Sequence, residues 1–310
     1  MRAMVYTAPS VVELLEVDEP VPAAGEVILD VELVGICGSE LHGISKPGFR
    51  TPPLVMGHEF VGTDPGGRRV AVNPLVPCGM CDRCTDGEAN LCRTRSIVGI
   101  HRPGAFAERI AVPELLLHEL PDALPWEAAA VVEPLANAVH AWGVAGRPAG
   151  QRVAVIGAGT IGLVSLLVAL DQGAGEVVVA DLAEDRLAEA ARLGAVTTRE
   201  LTGEFDVIID AVGAAATHRA SVAHLRPGGT AVWLGLMSDE AAYDSLDLVR
   251  QEKAVRGSFC YSDAEFGEAI ALAGRCAVDW TRTFALEEGP AVFTELMNGR
   301  SDLVKALLRP

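Results

Sequence analysis

Residues 152–162 read RVAVIGAGTIG, an apolar run from Arg152 to Ile156 that breaks into Gly157-Ala158-Gly159-Thr160-Ile161-Gly162 and continues into the helix-forming stretch TIGLVSLLVALDQ. A strand feeding a glycine turn that opens a helix is the context that gives this spacing meaning. Gly157 permits the tight turn, Gly159 lets the backbone approach a pyrophosphate, and Gly162 allows helix and strand to pack closely. Thr160 and Ile161 begin the helix whose positive end faces the phosphate. Asp181 follows the next apolar run, 24 residues after Gly157. Its carboxylate there can accept hydrogen bonds from both adenosine ribose hydroxyls and would repel a 2′-phosphate, so NAD is expected over NADP. Arg186 tempers this preference, either stacking on adenine or pairing with surface acids. The blander alternative is a packing loop of glycines with Asp181 as a helix cap.

Outward from this turn the pattern is repetitive. EVVVA, FDVIID and GTAVWLG read as strands, and AEDRLAEAARL and ATHRASVAHL as the helices between them. Near-continuous apolar strands alternating with helices indicate a parallel sheet covered on both faces. Val212-Gly213 and Leu234-Gly235-Leu236 fall at strand C-termini, where a nucleotide crosses such a sheet. We therefore expect a dinucleotide-binding domain over 143–255.

Before it, residues 2–7, 27–34 and 68–72 read as short strands punctuated by Gly and Pro, with no long helix before about residue 122. WEAAAVVEPLANAVHAW reads as helix with an irregularity at Pro134. A mainly β domain is expected over 1–142. Residues 256–310 carry too few elements for a third core and are expected to pack back onto that domain.

The 310 residues are 50% hydrophobic and carry a net charge of -17, which disfavours nucleic acid as a main partner. No signal-peptide pattern or long apolar run is evident, so a cytoplasmic protein with no membrane partner is expected. Four of the seven cysteines, Cys78, Cys81, Cys84 and Cys92, form C-x2-C-x2-C-x7-C. Four thiolates on one loop, here a lobe over 74–95, suit a closed tetrahedral zinc site with a structural role; an iron–sulfur cluster or a metal-free loop are the alternatives. Cys37 in CGSELH and His58-Glu59 in GHEFVG are candidates for a second zinc, with Glu133 beside Pro134 as a further ligand from elsewhere in the chain. Taken alone, each of these residues reads equally as core filler or surface acid.

Taken together, CGSELH, GHEFVG, the four-cysteine lobe, VVEPLANAVHA, VIGAGTIG, Asp181 and LEEGP resemble the zinc-dependent medium-chain alcohol dehydrogenases, specifically the polyol (sorbitol), threonine and butanediol dehydrogenase branch. The resemblance implies an α/β protein with a GroES-like, mainly β catalytic domain and a Rossmann parallel-sheet domain. It implies a catalytic zinc on Cys37, His58 and Glu133, with Glu59 as a neighbour able to ligate in turn, a structural zinc on the four cysteines, and NAD. Ser39 and His42 match the family's proton relay, and Glu40 the acid that orients the histidine ligand. The implied reaction is reversible oxidation of a secondary alcohol or polyol to the ketone, with zinc as Lewis acid and hydride passing to C4 of nicotinamide. The site would lie in a cleft between domains. An NADPH-dependent carbonyl or enoyl reductase on the same scaffold and a nonenzymatic NAD-binding sensor are the competing readings. A homodimer or homotetramer is the implied assembly.

Two departures from the family stand out. Only TDPGG separates GHEFVG from RRVAVNP, where relatives carry a longer strand and turn, which implies a more open site or one covered by a partner subunit. Where sugar-polyol dehydrogenases carry an arginine in a GSFRY-like segment, this chain has Gly257-Ser258-Phe259-Cys260-Tyr261. Cysteine lacks the charged fork, so sorbitol itself becomes doubtful. Ser45 to Thr51 and Phe259 are expected to shape the substrate pocket.

Overall fold

The computed structural model describes residues 1–44, 50–299 and 303–310. They form two compact units, Met1–Glu133 with Ser262–Pro310, and Pro134–Tyr261. These boundaries differ from the expected 142/143 and 255/256 divisions, the first falling inside the helix Val132–Val144.

The second unit is built on six parallel strands in the order Val196–Thr198, Glu176–Ala180, Arg152–Ile156, Phe205–Asp210, Leu225–Trp233 and Ala254–Gly257. Chain order along the sheet is thus 3-2-1-4-5-6 within the unit, with the reversal between Arg152–Ile156 and Phe205–Asp210. Strand C-termini at that reversal are where such sheets bind ligands. The central strands are β-branched and buried, as sheets covered on both faces require. The helices differ by their exposure. Thr160–Asp171 is apolar all round and buried from Gly162 to Ala169, whereas the charged helix Glu184–Arg192 buries only Leu187 and Ala190.

In the first unit the long strand Glu26–Gly35 pairs with Glu59–Thr63, Arg109–Pro113 and the last strand, Lys305–Arg309. Lys305–Arg309 in turn pairs in parallel with Thr281–Ala285. Met4, Leu29, Val34, Phe60, Phe106, Phe293 and Leu308 belong to one core cluster, so the C-terminal residues share the core of the N-terminal ones. The TDPGG segment is a closed hairpin turn. Asp64 accepts from the Gly66 and Arg68 amides at 2.9 and 2.8 Å and from the Arg68 guanidinium at 2.7 Å.

The helical stretch after Pro125 is interrupted, but not at Pro134. Trp126–Ala129 and Val132–Val144 are separate helices, and Pro134 occupies the first turn of the second. A proline is tolerated there because the first-turn amides have no helical acceptor anyway. Among the described residues no helix is long and apolar enough to cross a membrane.

Candidate active site and metal centres

Cys37 precedes the six-residue helix Gly38–Gly43, and His58 stands immediately before Glu59, which opens the strand that lies antiparallel to Glu26–Gly35. The thiol, imidazole and carboxylate converge, with one ligand atom from each lying within 4.8 Å of the others. Glu40 organises them. Its Oε2 accepts from the Cys37 amide at 3.0 Å, and its Oε1 accepts from the Gly57 amide at 2.9 Å and lies 3.0 Å from His58 Nδ1. A carboxylate on Nδ1 leaves Nε2 for a metal, the usual carboxylate–histidine–zinc arrangement. Burial alone would raise the Glu40 carboxyl, but the His58 and Arg50 charges outweigh it and hold it low. Burial likewise opposes protonation of His58, yet the Cys37 and Glu40 charges push it up to about 10. Cys37 is lowered, since His58 and Lys305 outweigh its burial. Without a divalent ion these three groups would share charge and protons among themselves. A soft thiolate, an imidazole and a carboxylate at this spacing fit zinc.

Lys305, from the last strand, completes the surroundings of Glu59. Its ammonium meets Glu59 Oε2 and donates to the Ile36 carbonyl at 3.1 Å. Gly35 lies opposite Glu59 in the ladder, and a Cβ there would come within 2.5 Å of Glu59 Oε2 and 2.6 Å of Lys305 Cε.

Ser39 lies on the same short helix as Glu40, and its Oγ is buried with no hydrogen-bond partner among the described residues. His42 is exposed near the helix end. Glu133 is buried at the start of its helix, but its carboxylate does not join the Cys37–His58–Glu59 group.

The four lobe cysteines also gather. Sulfur separations are 3.5 Å for Cys81–Cys84 and 3.9 Å for Cys78–Cys84 and Cys81–Cys92. Four sulfurs about 2.3 Å from one zinc lie roughly 3.8 Å apart along the edges of a tetrahedron, so the thiols fit a closed Zn–S4 site. A bidentate Arg93–Asp82 pair at 2.7 and 2.6 Å braces the lobe outside this cluster.

In the other unit the glycine turn has the form a dinucleotide needs. A Cβ on Gly162 would fall 1.7 Å from the Gly157 carbonyl oxygen, so helix and turn touch backbone to backbone, whereas Gly159 has nothing within 4 Å of that position. Asp181 Oδ2 accepts from the Ala158 amide at 2.7 Å, tying the acid to the turn, and Oδ1 accepts from Ala183 at 2.8 Å. Arg186 is half-buried on the following helix. Asp210 Oδ1 accepts from the Val212 and Gly213 amides at 2.9 Å, and its carbonyl accepts from the Leu234 and Gly235 amides at 3.0 Å. One strand-end residue thus holds both loops, and Leu236 beyond them is exposed.

Comparison with known proteins follows this geometry. The family described as alcohol dehydrogenase GroES-like domain matches residues 23–122, and that described as zinc-binding dehydrogenase matches residues 160–275. D-xylulose reductase A of Aspergillus oryzae is 31% identical over 331 residues, covering 94% of this chain and 92% of its own. The chain belongs to the zinc-dependent medium-chain alcohol dehydrogenases. L-threonine 3-dehydrogenase of Streptomyces coelicolor is also 31% identical, over 326 residues and 94% of each chain. Acetophenone reductase from Geotrichum candidum, solved in complex with NAD, superposes with a TM-score of 0.92 at 27% identity over 100% of this chain and 97% of that one. The dehydrogenase is an oxidoreductase that interconverts an alcohol and its ketone using zinc and a nicotinamide cofactor.

Sequence reasoning did not find Lys305 and placed Arg50 only within the Ser45–Thr51 segment expected to shape the substrate pocket. Lys305 left a trace, a lone cation in the apolar run Val304–Leu308, since a charge inside a strand core needs a partner. The substrate-pocket expectation for Ser45–Phe49 lies outside the described residues. Cys260 adopts a left-handed backbone, φ 51°, within Gly257-Ser258-Phe259-Cys260-Tyr261.

Proposed function

We propose that this dehydrogenase oxidises a secondary alcohol of modest polarity, acyclic or cyclic, to the ketone with NAD, at a zinc held by Cys37, His58 and Glu59. The convergence of those three donors around a histidine locked by Glu40 carries the reading. When bound, zinc polarises the alcohol oxygen and the nicotinamide ring accepts the hydride. Glu40 fixes the imidazole tautomer and ring plane and restrains the turn bearing Cys37. The buried Ser39 hydroxyl takes the proton leaving the alcohol, and exposed His42 passes it to solvent. Asp181 carries the adenosine ribose and disfavours a 2′-phosphate. Cys78, Cys81, Cys84 and Cys92 hold a structural zinc that folds their lobe.

Cys260 in place of an arginine supports a substrate with fewer hydroxyls than sorbitol. None of the seven cysteines forms a disulfide, which suits a reducing cytoplasmic setting, and a homodimer or homotetramer is the assembly we propose.

The test combines metal analysis with NAD- and NADP-linked turnover on a panel of secondary alcohols and polyols, comparing native protein with Cys37→Ala. Two zinc ions per chain are expected, one of them lost in Cys37→Ala together with NAD-linked turnover. A single zinc, with turnover indifferent to Cys37, would sink the reading.

A further inference from the structure

The Ser39 hydroxyl makes no hydrogen bond among the described residues. Its direction is set by the main chain of residue 39, on a helix of six residues that begins with Gly38. A helix this short does not hold itself in water and takes its position from what it is tied to. One tie is Arg50. Its Nη1 donates to the Ser39 carbonyl at 2.7 Å, and its Nε makes a longer contact, 3.4 Å, with the Gly99 carbonyl. The guanidinium is buried, with the residue 3% exposed, and the Glu40 carboxylate supplies a compensating charge.

The second carbonyl gives the tie its meaning. Gly99 packs directly on Gly57, since a Cβ on Gly99 would come within 2.6 Å of the Gly57 carbonyl oxygen. Gly104 closes on the same backbone, its Cβ position lying 2.4 Å from the Met56 oxygen and 2.5 Å from that of Gly57. Gly57 precedes His58 and donates its amide to Glu40. The connection therefore runs from the relay serine through Arg50 to the backbone stack that carries the histidine ligand.

We infer that Arg50 is the positioning residue of the relay serine, registering the Ser39 main chain against the Gly57–Gly99 stack so that the hydroxyl faces the reacting oxygen. The inference rests on the dehydrogenase reading of Ser39. The role needs a fork able to reach two carbonyls at once, which arginine has and lysine lacks. Arg50 contacts neither alcohol nor cofactor in this role, so it acts on proton transfer through Ser39.

The test is a double-mutant cycle on the zinc- and NAD-loaded full chain with Arg50→Ala, Ser39→Ala and the double variant, using the best substrate of the panel, with Arg50→Lys measured alongside. Arg50→Ala is expected to lower kcat on the order of tenfold, as misplacement of a reacting group does. Zinc content and NAD affinity stay native, and the kcat–pH profile moves in the same direction as that of Ser39→Ala. Adding Arg50→Ala to Ser39→Ala costs nothing further, because the two act as one unit. Arg50→Lys recovers part of the loss. Equal losses of kcat in both backgrounds would overturn the inference, as would loss of zinc with the arginine.

Amide exchange supplies a readout that needs no turnover, with exchange across residues 38–43 expected to accelerate in Arg50→Ala. Failure of the dehydrogenase reading would show separately, as a native protein inactive on the whole panel. Unchanged protection of residues 38–43 overturns the clamp whichever way turnover falls.

Discussion

Lys305 and Glu59 meet with their side chains 1% and 2% exposed, although 246 residues separate them in the chain. The antiparallel ladder makes the meeting possible, because Gly35 pairs with Glu59 on one side and Leu307 on the other, and Gly35 has no side chain to occupy the space between them. Burial draws Lys305 down to about 8. The strand that ends the chain thus delivers a cation to a carboxylate of the metal cluster.

Removing one partner of a buried pair leaves an uncompensated charge, at a cost of about 3–5 kcal/mol. Lys305→Met should therefore destabilise the fold, and by more when metal is absent, since a bound cation at Cys37, His58 and Glu59 neutralises the same carboxylate. Thermal unfolding of native and variant protein, each with and without a chelator, measures the difference. An equal loss of Tm on chelation in both would show that Lys305 and metal do not share Glu59.

The parts of this protein legible in its sequence are those encoded locally. The glycine turn at 157–162, the alternation of strands and helices after it, and the four cysteines between 78 and 92 each lie within one supersecondary unit, so spacing alone exposes them. Lys305 and Arg50 act across chain reversals, and no periodicity links Lys305 to Glu59 or Arg50 to Ser39. The break falls at Ala130–Val131 rather than at Pro134, the obvious breaker, because a first turn accommodates proline. The convergence of Glu59 with Cys37 and His58 is likewise hidden in the sequence, where a glutamate immediately after a histidine does not look able to share its surroundings.

Proton release should accompany zinc uptake by the cysteine lobe. The Met80 and Cys81 amides hold Cys78 down to about 6, whereas burial and the neighbouring sulfurs push Cys84 up to about 12. Zinc binds thiolates, so at neutral pH Cys84 must give up a proton. Indicator-dye titration of chelator-stripped Cys37→Ala protein, which leaves the lobe as the zinc site, should register this release. Cys84→Ala on that background should release roughly one proton fewer and bind zinc more weakly. Identical release by the two proteins would contradict the assignment.

Replacing Asp181 should alter cofactor choice. Its carboxylate braces the glycine turn through the Ala158 amide and is the acceptor proposed for the adenosine ribose. Asp181→Ser should lower NAD-linked kcat/KM on the order of tenfold, about 1.4 kcal/mol, while NADP-linked turnover holds or rises as the repulsion disappears. Steady-state kinetics with both cofactors separates this from simple damage to the turn, which would depress the two equally.

The hairpin turn at residues 63–67 depends on one acid, and its contribution should vary with pH in a defined direction. The Arg68 and Gly66 amides and the Arg68 guanidinium hold the Asp64 carboxyl below its ordinary value. An aspartate of the unfolded chain titrates near about 3.9. Because the folded value is lower, the stabilisation is complete above the unfolded value and is lost as pH falls through the folded one. Asp64→Asn keeps an oxygen for the two amides but removes the charge. At neutral pH it should melt a few degrees below native, for a loss of about 1 kcal/mol. As the solution is acidified below about pH 4 the two melting curves should begin to converge, and they should meet once the pH lies below the folded value and native Asp64 carries a proton as well. A gap that persists unchanged into acid would mean that the charge contributes nothing and that the turn is held by its backbone alone.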